Sequence, residues 1–275
     1  LDVIYIATNS PGSLGGNRML IAWDFETGSL ICKSDEVNAI KGTGVPFVGN
    51  IDDDPDMEVV FMIANRLLGY KPDFANKKFS LAYSTTVNDE SGSTGMTIFD
   101  FNNDGKAEIV YRDQTKLRIM EAIPGNPGTF SNLKDYNCTS TTSLEYPVVA
   151  DVDNDGASEI IVIGNTAGYV GNGFLWIYKS GTSDPGAPAR KVWNQFGYHS
   201  VNINEDLTVP KQQLNPATIF PGNALTGTVQ PYNNFLQQQT ILGKDGIPIW
   251  LVPDIFPATS LSSSSAEGDS INRTV

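Results

Sequence analysis

The sequence predicts an all-β fold built from a repeat of about 50 residues, and three observations predict it. Acidic stretches of the same pattern begin at Asn50, Asp100 and Asp151, at intervals of 50 and 51 residues. A short apolar run precedes each stretch and a β-branched run follows it, which is typical of strands. Two further strand candidates complete each repeat. Four short strands per repeat indicate the blades of a β-propeller, here expected to be part of a larger or incomplete ring.

The strands of each repeat are assigned by their apolar and β-branched runs, which are short and bounded by turn residues. In the repeat that contains the first acidic stretch, they are residues 46–49, 59–63, 66–70 and 79–83. In the second repeat the equivalent runs are 96–99, 109–111, 117–120 and 133–137. In the third repeat they are 147–150, 160–163, 174–178 and 191–193. The agreement between repeats predicts four-stranded blades of the same plan.

The repeat also predicts the organisation of the chain. Residues 2–6 match the start of the second strand in the later repeats, so the chain is expected to begin inside a blade. We predict propeller blades over residues 1–256 and a linker, or the start of a following domain, over 257–275. The blades are a truncated one at 1–45, complete ones at 46–95, 96–146 and 147–197, and a divergent one at 198–256. The divergent blade includes an irregular insertion at 211–239 and a hairpin at 240–242 and 247–252.

The acidic stretches have the composition of a cation-binding loop. In the third stretch, Asp151, Asp153 and Asp155 stand at positions 1, 3 and 5, so their side chains can converge in a tight loop. Gly156 at position 6 can adopt a positive φ and turn the chain. The carbonyl of position 7 and Glu159 at position 9 can then complete the ligand set. Roughly 6–8 oxygen ligands suit Ca²⁺ better than Mg²⁺, and the loop contains no Cys or His for zinc.

The candidate ligands are therefore the residues at positions 1, 3, 5, 7 and 9 of three loops. In the second loop (100–108) they are Asp100, Asn102, Asp104, Lys106 and Glu108, and in the third loop (151–159) they are Asp151, Asp153, Asp155, Ala157 and Glu159. In the first loop (50–58) they are Asn50, Asp52, Asp54, Asp56 and Glu58. We expect Ca²⁺ in the second and third loops. A third site in the first loop is expected to bind differently or more weakly, because Pro55 replaces the glycine and has a fixed φ.

These loops have two other interpretations. An EF-hand loop needs a glutamate at position 12 and flanking helices. Position 12 is Phe61, Tyr111 or Val162 here, between predicted strands, so the EF-hand is excluded. An ordinary solvated Asx turn is the other alternative, above all for the first loop. A weaker fourth copy at 202–206 has Pro210 at its ninth position and is predicted to bind no metal.

Composition excludes several classes of protein and site. The chain carries 31 acidic and 18 basic residues, a formal charge of −13, which argues against a nucleic-acid partner. No apolar run reaches the length of about 18 residues that a membrane span needs. The single histidine excludes a His-rich metal site. The two cysteines, Cys32 and Cys138, fall in or next to the outer strands of non-neighbouring blades, so we predict two unpaired thiols.

At the acidic loops the sequence resembles the FG-GAP/VCBS repeat family, whose calcium-loop propellers also occur in integrin alpha chains. The resemblance covers roughly residues 1–200 and implies metal ligands at the loop positions named above, but no catalytic residue. A second resemblance concerns residues 192–199, 201–210 and 231–239. These segments are similar to parts of very large, secreted, adhesin-like surface proteins of gliding bacteria. Their resemblance implies an extracellular location at the bacterial surface.

The predicted function is that of a secreted, calcium-stabilised propeller module that mediates adhesion. Its expected partners are a cell-surface protein or glycan and the other domains of the same large chain. A carbohydrate-active propeller, either a polysaccharide lyase or a lectin, and a purely structural spacer remain open alternatives. Residues that could serve a lyase are isolated in sequence: Arg190, Lys191, Tyr198 and His199. We therefore predict no enzymatic activity, and we expect the tryptophans to serve packing rather than sugar stacking: Trp23, Trp176, Trp193 and Trp250.

Overall fold

The computed structural model is all-β, as predicted, and has the arrangement of a partial propeller. It describes residues 3–9, 17–38, 42–54, 56–89, 91–92, 94–140, 145–165, 173–181, 186–213, 235–238, 240, 262–265 and 269–272. These residues form seventeen strands in three sheets and contain no helix. Within the same ranges, accordingly, no helix is suited to crossing a membrane. Pro55, Trp250 and the hairpin strand predicted at 247–252 lie outside the described residues.

The first sheet joins two blades. One blade contains β1 (Val3–Asn9), β2 (Asn17–Asp24), β3 (Leu30–Lys33) and the short β4 (Val37–Asn38). The next contains β5 (Phe47–Gly49), β6 (Glu58–Ile63), β7 (Arg66–Asp73) and β8 (Lys78–Thr86). Strands β3 and β8 pair in parallel at Lys33 and Lys78, so the sheet runs in the order β1-β2-β3-β8-β7-β6-β5, with β4 on β2.

The other two sheets are one blade each. The second sheet contains β9 (Met96–Phe99), β10 (Glu108–Arg112), β11 (Lys116–Ile123) and β12 (Thr129–Asn137), which pair antiparallel in chain order. The third contains β13 (Val148–Ala150), β14 (Glu159–Gly164) and β15 (Phe174–Lys179), followed across the sheet by β17 (Asp269–Asn272) and β16 (Ser262–Ser265). Each complete blade therefore has an antiparallel core in which the acidic loop joins the first strand to the second.

The blade that contains β13–β15, predicted at residues 147–197, differs from the prediction in its outer strand. Residues 191–193 form no strand, and β17 takes the outer position by pairing with β15 at Tyr178 and Ser270. The reason lies in the partners of segment 191–193. The carbonyl of Val192 accepts a 3.2 Å hydrogen bond from the side chain of Gln238, and Trp193 stacks on Tyr198 with ring centroids 4.5 Å apart. The segment therefore packs against the following loop instead of extending the sheet.

The hydrophobic core lies between the blades, in layers made by facing sheets. Along β6, Val59, Phe61 and Ile63 pack against the blade of β1–β4, while Val60 and Met62 pack against the blade of β9–β12. Because successive side chains of a strand point to opposite faces, burial of both faces requires a continuous apolar run. The β-branched runs after each loop thus follow from their position between two neighbouring sheets.

The two cysteines lie in different layers of this core. Cys32 packs between the first two blades, and Cys138 packs between the last two. Both are fully buried and both are free thiols, which confirms the prediction.

Candidate metal centre

The three acidic loops occupy the same place in successive blades. Each joins the first strand to the second, and its ninth residue is the first residue of the second strand. Strand pairing places these glutamates opposite the last residue of the preceding strand: Glu58 opposite Gly49, Glu108 opposite Phe99, and Glu159 opposite Ala150. The glutamate therefore closes the loop at a fixed position of the hairpin.

The three glutamates make the same hydrogen bond. One carboxylate oxygen, Oε2, accepts from the main-chain N–H at position 2 of the loop, at 3.1 Å for Glu58, 2.9 Å for Glu108 and 2.9 Å for Glu159. The other oxygen, Oε1, is buried without a hydrogen-bond partner among the described residues in Glu58 and Glu159. One oxygen thus holds the loop closed. In Glu159 the second has no hydrogen-bond partner within the described part of the chain, and in Glu58 it lies 3.5 Å from Nζ of Lys71.

Burial perturbs the ionisation of these glutamates. It raises the pKa of Glu58 to about 7 and the pKa of both Glu108 and Glu159 to about 8. Neighbouring aspartates add to the effect, because like charges disfavour ionisation. A cation beside the glutamates would reverse both effects, since it favours the charged carboxylate.

The aspartates curl the loops through hydrogen bonds to the main chain. In the third loop, Asp153 Oδ1 accepts from the N–H of Asp155 at 3.2 Å, and Asp155 Oδ1 accepts from the N–H of Ala157 at 2.9 Å. Asp151 Oδ2 accepts from the N–H of Gly156 at 3.2 Å. Gly156, like Gly105 in the second loop, has a φ of 90°, which confirms the predicted left-handed turn.

The first two loops are curled in the same way. Position 3 accepts from the N–H of position 5 through Asp52 in the first loop and Asn102 in the second, at 3.1 and 2.9 Å. The carboxylate at position 5 accepts from the N–H of position 7 in the same manner. Asp54 accepts from Asp56 in the first loop and Asp104 accepts from Lys106 in the second, both at 2.9 Å. Asn50 Oδ1 accepts from the N–H of Asp52, and Asp100 binds the N–H groups of Asp104 and Gly105.

Convergence of the carboxylates differs between the loops. One oxygen from each of Asp52, Asp54 and Glu58 lies within 4.8 Å of the others, and the same holds for Asp151, Asp153 and Glu159. The second loop has Asn102 at position 3, and its carboxylates do not meet this spacing, although all nine of its residues are described. The first loop therefore brings acids together despite Pro55 in its sequence.

Two lysines outside the predicted ligand set reach into the loops. The Nζ atom of Lys71 lies 2.8 Å from Asp52 Oδ2 and 3.5 Å from Glu58 Oε1, and it also binds Asp54. In the third loop, the Nζ atom of Lys179 lies 2.6 Å from Asp153 Oδ2 and also binds Asp155. The recurring pairs Tyr70-Lys71 and Tyr178-Lys179 were the available sequence signal.

These contacts change the ionisation of the groups involved. Burial alone would lower the pKa of Lys71 and Lys179, but hydrogen bonds to the aspartates raise both pKa values above the ordinary value of a lysine. In return, Lys71 lowers the pKa of Asp52 and Lys179 lowers the pKa of Asp155, against the opposing effect of burial. Both lysines are therefore fully charged inside an acidic loop.

The second loop has a different electrostatic environment. Burial raises the pKa of Asp100 to about 6, and repulsion from Asp104 contributes. Lys106, a residue of the loop itself, forms ion pairs with Asp53 at 3.1 Å and with Asp104 at 3.7 Å, at the exposed rim. Among the described ion pairs, none involves Asp100 or Glu108. The second loop thus carries buried acids without a basic side chain among them.

The weak fourth copy is organised by an arginine. Arg190 donates to the carbonyl oxygens of Ser200 at 2.6 Å and Ile203 at 2.8 Å, donates to the hydroxyl of Tyr198 at 3.0 Å, and forms an ion pair with Glu205. Two of the isolated candidates for a lyase are thus engaged in structural contacts. Lys191 is exposed, and burial lowers the pKa of His199.

Comparison with known proteins agrees with the repeat. A profile described as FG-GAP-like repeat matches residues 100–162, which contain the second and third loops. A search of curated protein sequences finds no significant match. The resemblance to surface proteins of gliding bacteria stays a prediction.

Among solved structures, the chain is similar to the Vibrio cholerae biofilm matrix protein Bap1. The two share 19% sequence identity at a TM-score of 0.52, over 84% of this chain and 34% of that chain. The chain therefore spans about a third of the length of that protein. At this identity, the likeness concerns the fold.

Proposed function

We propose that this chain is a calcium-stabilised propeller module of an extracellular cell-surface protein, where it mediates adhesion to a protein or glycan. The observation that carries the calcium part is the repeated glutamate at position 9. In the third loop its second oxygen is buried without a hydrogen bond or ion pair among the described contacts, next to converging carboxylates, and in the first loop the equivalent oxygen lies 3.5 Å from Nζ of Lys71. Burying a carboxylate is costly unless a cation or donor compensates it. Because every side-chain donor is an oxygen, a hard divalent cation fits.

The residues that would hold Ca²⁺ are those at positions 1, 3, 5 and 9, with the carbonyl of position 7. In the third loop these are Asp151, Asp153, Asp155, Glu159 and Ala157; in the second, Asp100, Asn102, Asp104, Glu108 and Lys106; in the first, Asn50, Asp52, Asp54, Glu58 and Asp56. Bound there, the ion would fasten the first strand of a blade to the second. It would stabilise the folded chain by mass action, since the unfolded loop binds it poorly.

Adhesion is supported by the fold and by the charge of the chain. The FG-GAP-like match and the likeness to a biofilm matrix protein favour an extracellular role. A charge of −13 disfavours nucleic acid as the partner. A polysaccharide lyase has less support, because the hydroxyl of Tyr198 donates to Gln238 at 2.7 Å in a buried cluster with Arg190.

The calcium part is tested by elemental analysis and thermal melting. We expect calcium to remain bound after dialysis against a calcium buffer, and EGTA to lower the melting temperature. Asp153→Asn should reduce both bound calcium and the EGTA effect, whereas Glu26→Gln, which removes an exposed acid outside the loops, should change neither. Identical melting of the wild type with and without EGTA would contradict the proposal.

The adhesion part needs a separate measurement. Purified protein should bind immobilised polysaccharides or cell surfaces in calcium buffer and lose that binding in EGTA, because the blades loosen. Polysaccharide panels should show no new ultraviolet absorbance from unsaturated uronates. Such absorbance would instead establish a lyase, and absence of binding to every surface would favour a structural spacer.

A further inference from the structure

The ammonium groups of Lys71 and Lys179 bind carboxylate oxygens that the proposed calcium ions need as ligands. Lys71 contacts the three carboxylates that converge in the first loop. Lys179 contacts two of the three aspartates of the third loop. An ion within about 2.6 Å of the same oxygens could not share that space with an ammonium group, for reasons of both distance and charge.

Both lysines come from the same position of the third strand in their blades. Tyr70 pairs with Val59, and Tyr178 pairs with Ile160, so the lysine that follows each tyrosine reaches the level of the loop glutamate. In the third blade along the chain, Met120 pairs with Ile109 in the same register. The residue that follows Met120 is Glu121, so the second loop has an acid where the other two have a lysine.

The three loops therefore differ in charge at one equivalent position. In the first and third loops, the lysine supplies a positive charge among the acids. In the second loop, Glu121 adds a further negative charge. The pKa of Lys106 is raised mainly by its hydrogen bond to Asp53, and the charges of Asp104 and Glu121 also contribute, so Glu121 lies near this loop. More negative charge around a loop favours a divalent cation, and a fixed positive charge within it opposes one.

We propose that Lys71 and Lys179 are tethered cations that hold the first and third loops folded without metal, and that Ca²⁺ enters these loops only by displacing them. The second loop, which has Glu121 in the equivalent place, then fills at the lowest calcium concentration. This inference rests on the proposed calcium binding and concerns its order and its control.

The lysines are placed so that displacement is feasible. Lys179 is the last residue of β15, and Lys71 lies near the end of β7, so both flexible side chains stand close to the end of a strand. Their side chains are 20% and 30% exposed, so the ammonium groups can move into water while the strand stays in place. Each loop is then an equilibrium between a lysine-filled form and an open form that is competent to bind calcium.

This equilibrium has a measurable effect on affinity. If the lysine leaves the loop in about a tenth of the molecules, the apparent affinity for calcium falls about tenfold. We therefore expect calorimetric titration of the wild type with Ca²⁺ to resolve one stronger site and weaker sites. By the same relation, Lys179→Met should increase the apparent calcium affinity of one of the weaker sites about tenfold.

Thermal melting of the same variant gives an independent readout. In EGTA, Lys179→Met should melt below the wild type, because the acids of the third loop lose their counter-charge. In calcium, the variant should recover at least the wild-type melting temperature. Lys116→Met is the matched control, since Lys116 forms an ion pair with Asp135 outside the loops. This control should show neither the gain in calcium affinity nor the lower melting temperature in EGTA that recovers in calcium.

A reciprocal substitution tests the inference without removing a lysine. Glu121→Lys should introduce a tethered cation into the second loop, raise the melting temperature in EGTA and remove the strongest calcium site. If the wild type binds calcium but Lys179→Met and Glu121→Lys leave every affinity unchanged, the inference is overturned and the proposed function stands. If the wild type itself binds no calcium, the proposed function fails, and the displacement inference fails with it.

Discussion

Nζ of Lys179 lies 2.6 Å from Oδ2 of Asp153, inside a loop that the sequence predicts to hold a divalent cation. The contact shows that an acidic motif can carry its own counter-ion. Residue 179 lies 26 positions after Asp153, and strand pairing brings it opposite Glu159. The ligand pattern of the loop and the side chain that competes with a ligand therefore come from different strands of one blade.

Glu159→Gln should remove the calcium response of the third loop. Gln keeps an oxygen that can accept from the N–H of Val152, so the loop should stay closed, but a charged calcium ligand is lost. A site filled at about one hundred times its dissociation constant contributes about 2.7 kcal/mol to stability. We expect about this contribution to disappear when melting is compared with and without calcium. An unchanged calcium response would show that Glu159 is no ligand.

Gly156→Ala should destabilise the chain, because residue 156 has a φ of 90°. A non-glycine residue in such a conformation costs about 1–3 kcal/mol. Denaturant unfolding should show a loss of this size, together with weaker calcium binding. Gly173→Ala is the control, since Gly173 has no positive φ and, among the described residues, an added methyl group would meet only Asn165 Oδ1, at 3.7 Å. An equal loss in both variants would argue against backbone strain as the cause.

Tyr111→Phe should destabilise the chain without touching any loop. The hydroxyl of Tyr111 donates a 2.9 Å hydrogen bond to Asp89 Oδ2, and both residues are fully buried. Removal of the donor leaves a buried carboxylate oxygen unpaired, at a cost of about 1–3 kcal/mol. Tyr146→Phe is the control, because no hydrogen bond of the Tyr146 hydroxyl is found among the described residues. It should unfold at nearly the wild-type denaturant concentration.

The same hydrogen bond predicts a dependence of stability on alkaline pH. Burial, with the negative charge of Asp89, raises the pKa of Tyr111 above its ordinary value of 10.0. The neutral hydroxyl therefore contributes fully to the stability of the folded chain below the ordinary pKa of tyrosine. This contribution is lost as pH rises above that ordinary pKa, because Tyr111 ionises first in the unfolded chain. The stability difference between wild type and Tyr111→Phe should accordingly narrow above about pH 10. A constant difference across this range would contradict the assignment.

The two cysteines should react with thiol reagents only after unfolding. Cys32 and Cys138 are fully buried, and burial raises the pKa of Cys32 to about 11. Because the thiolate is the reactive form, the native chain should be inert to Ellman's reagent near pH 8. The denatured chain should release two equivalents of the coloured thiolate, one per cysteine. One equivalent or none after denaturation without reductant would indicate oxidised cysteines.

Much of the fold could be predicted from the sequence because each blade repeats a local pattern. Acidic loops at a constant interval, each between an apolar run and a β-branched run, placed the first three strands of the complete blades. The positive φ of Gly105 and Gly156 followed from the need for a sharp turn at position 6. These features depend on neighbouring residues, and local sequence therefore determined them.

Features that depend on contacts between distant residues were decided by the tertiary structure. Residues 191–193 have a strand-like composition, but Gln238 holds the carbonyl of Val192, and β17 pairs with β15 instead. Likewise, the motif supplies the acids of each loop, whereas strand register decides whether a lysine or a glutamate stands beside them. Pairing geometry aligns residues far apart in the chain, so the charge within each loop is a property of the folded blade.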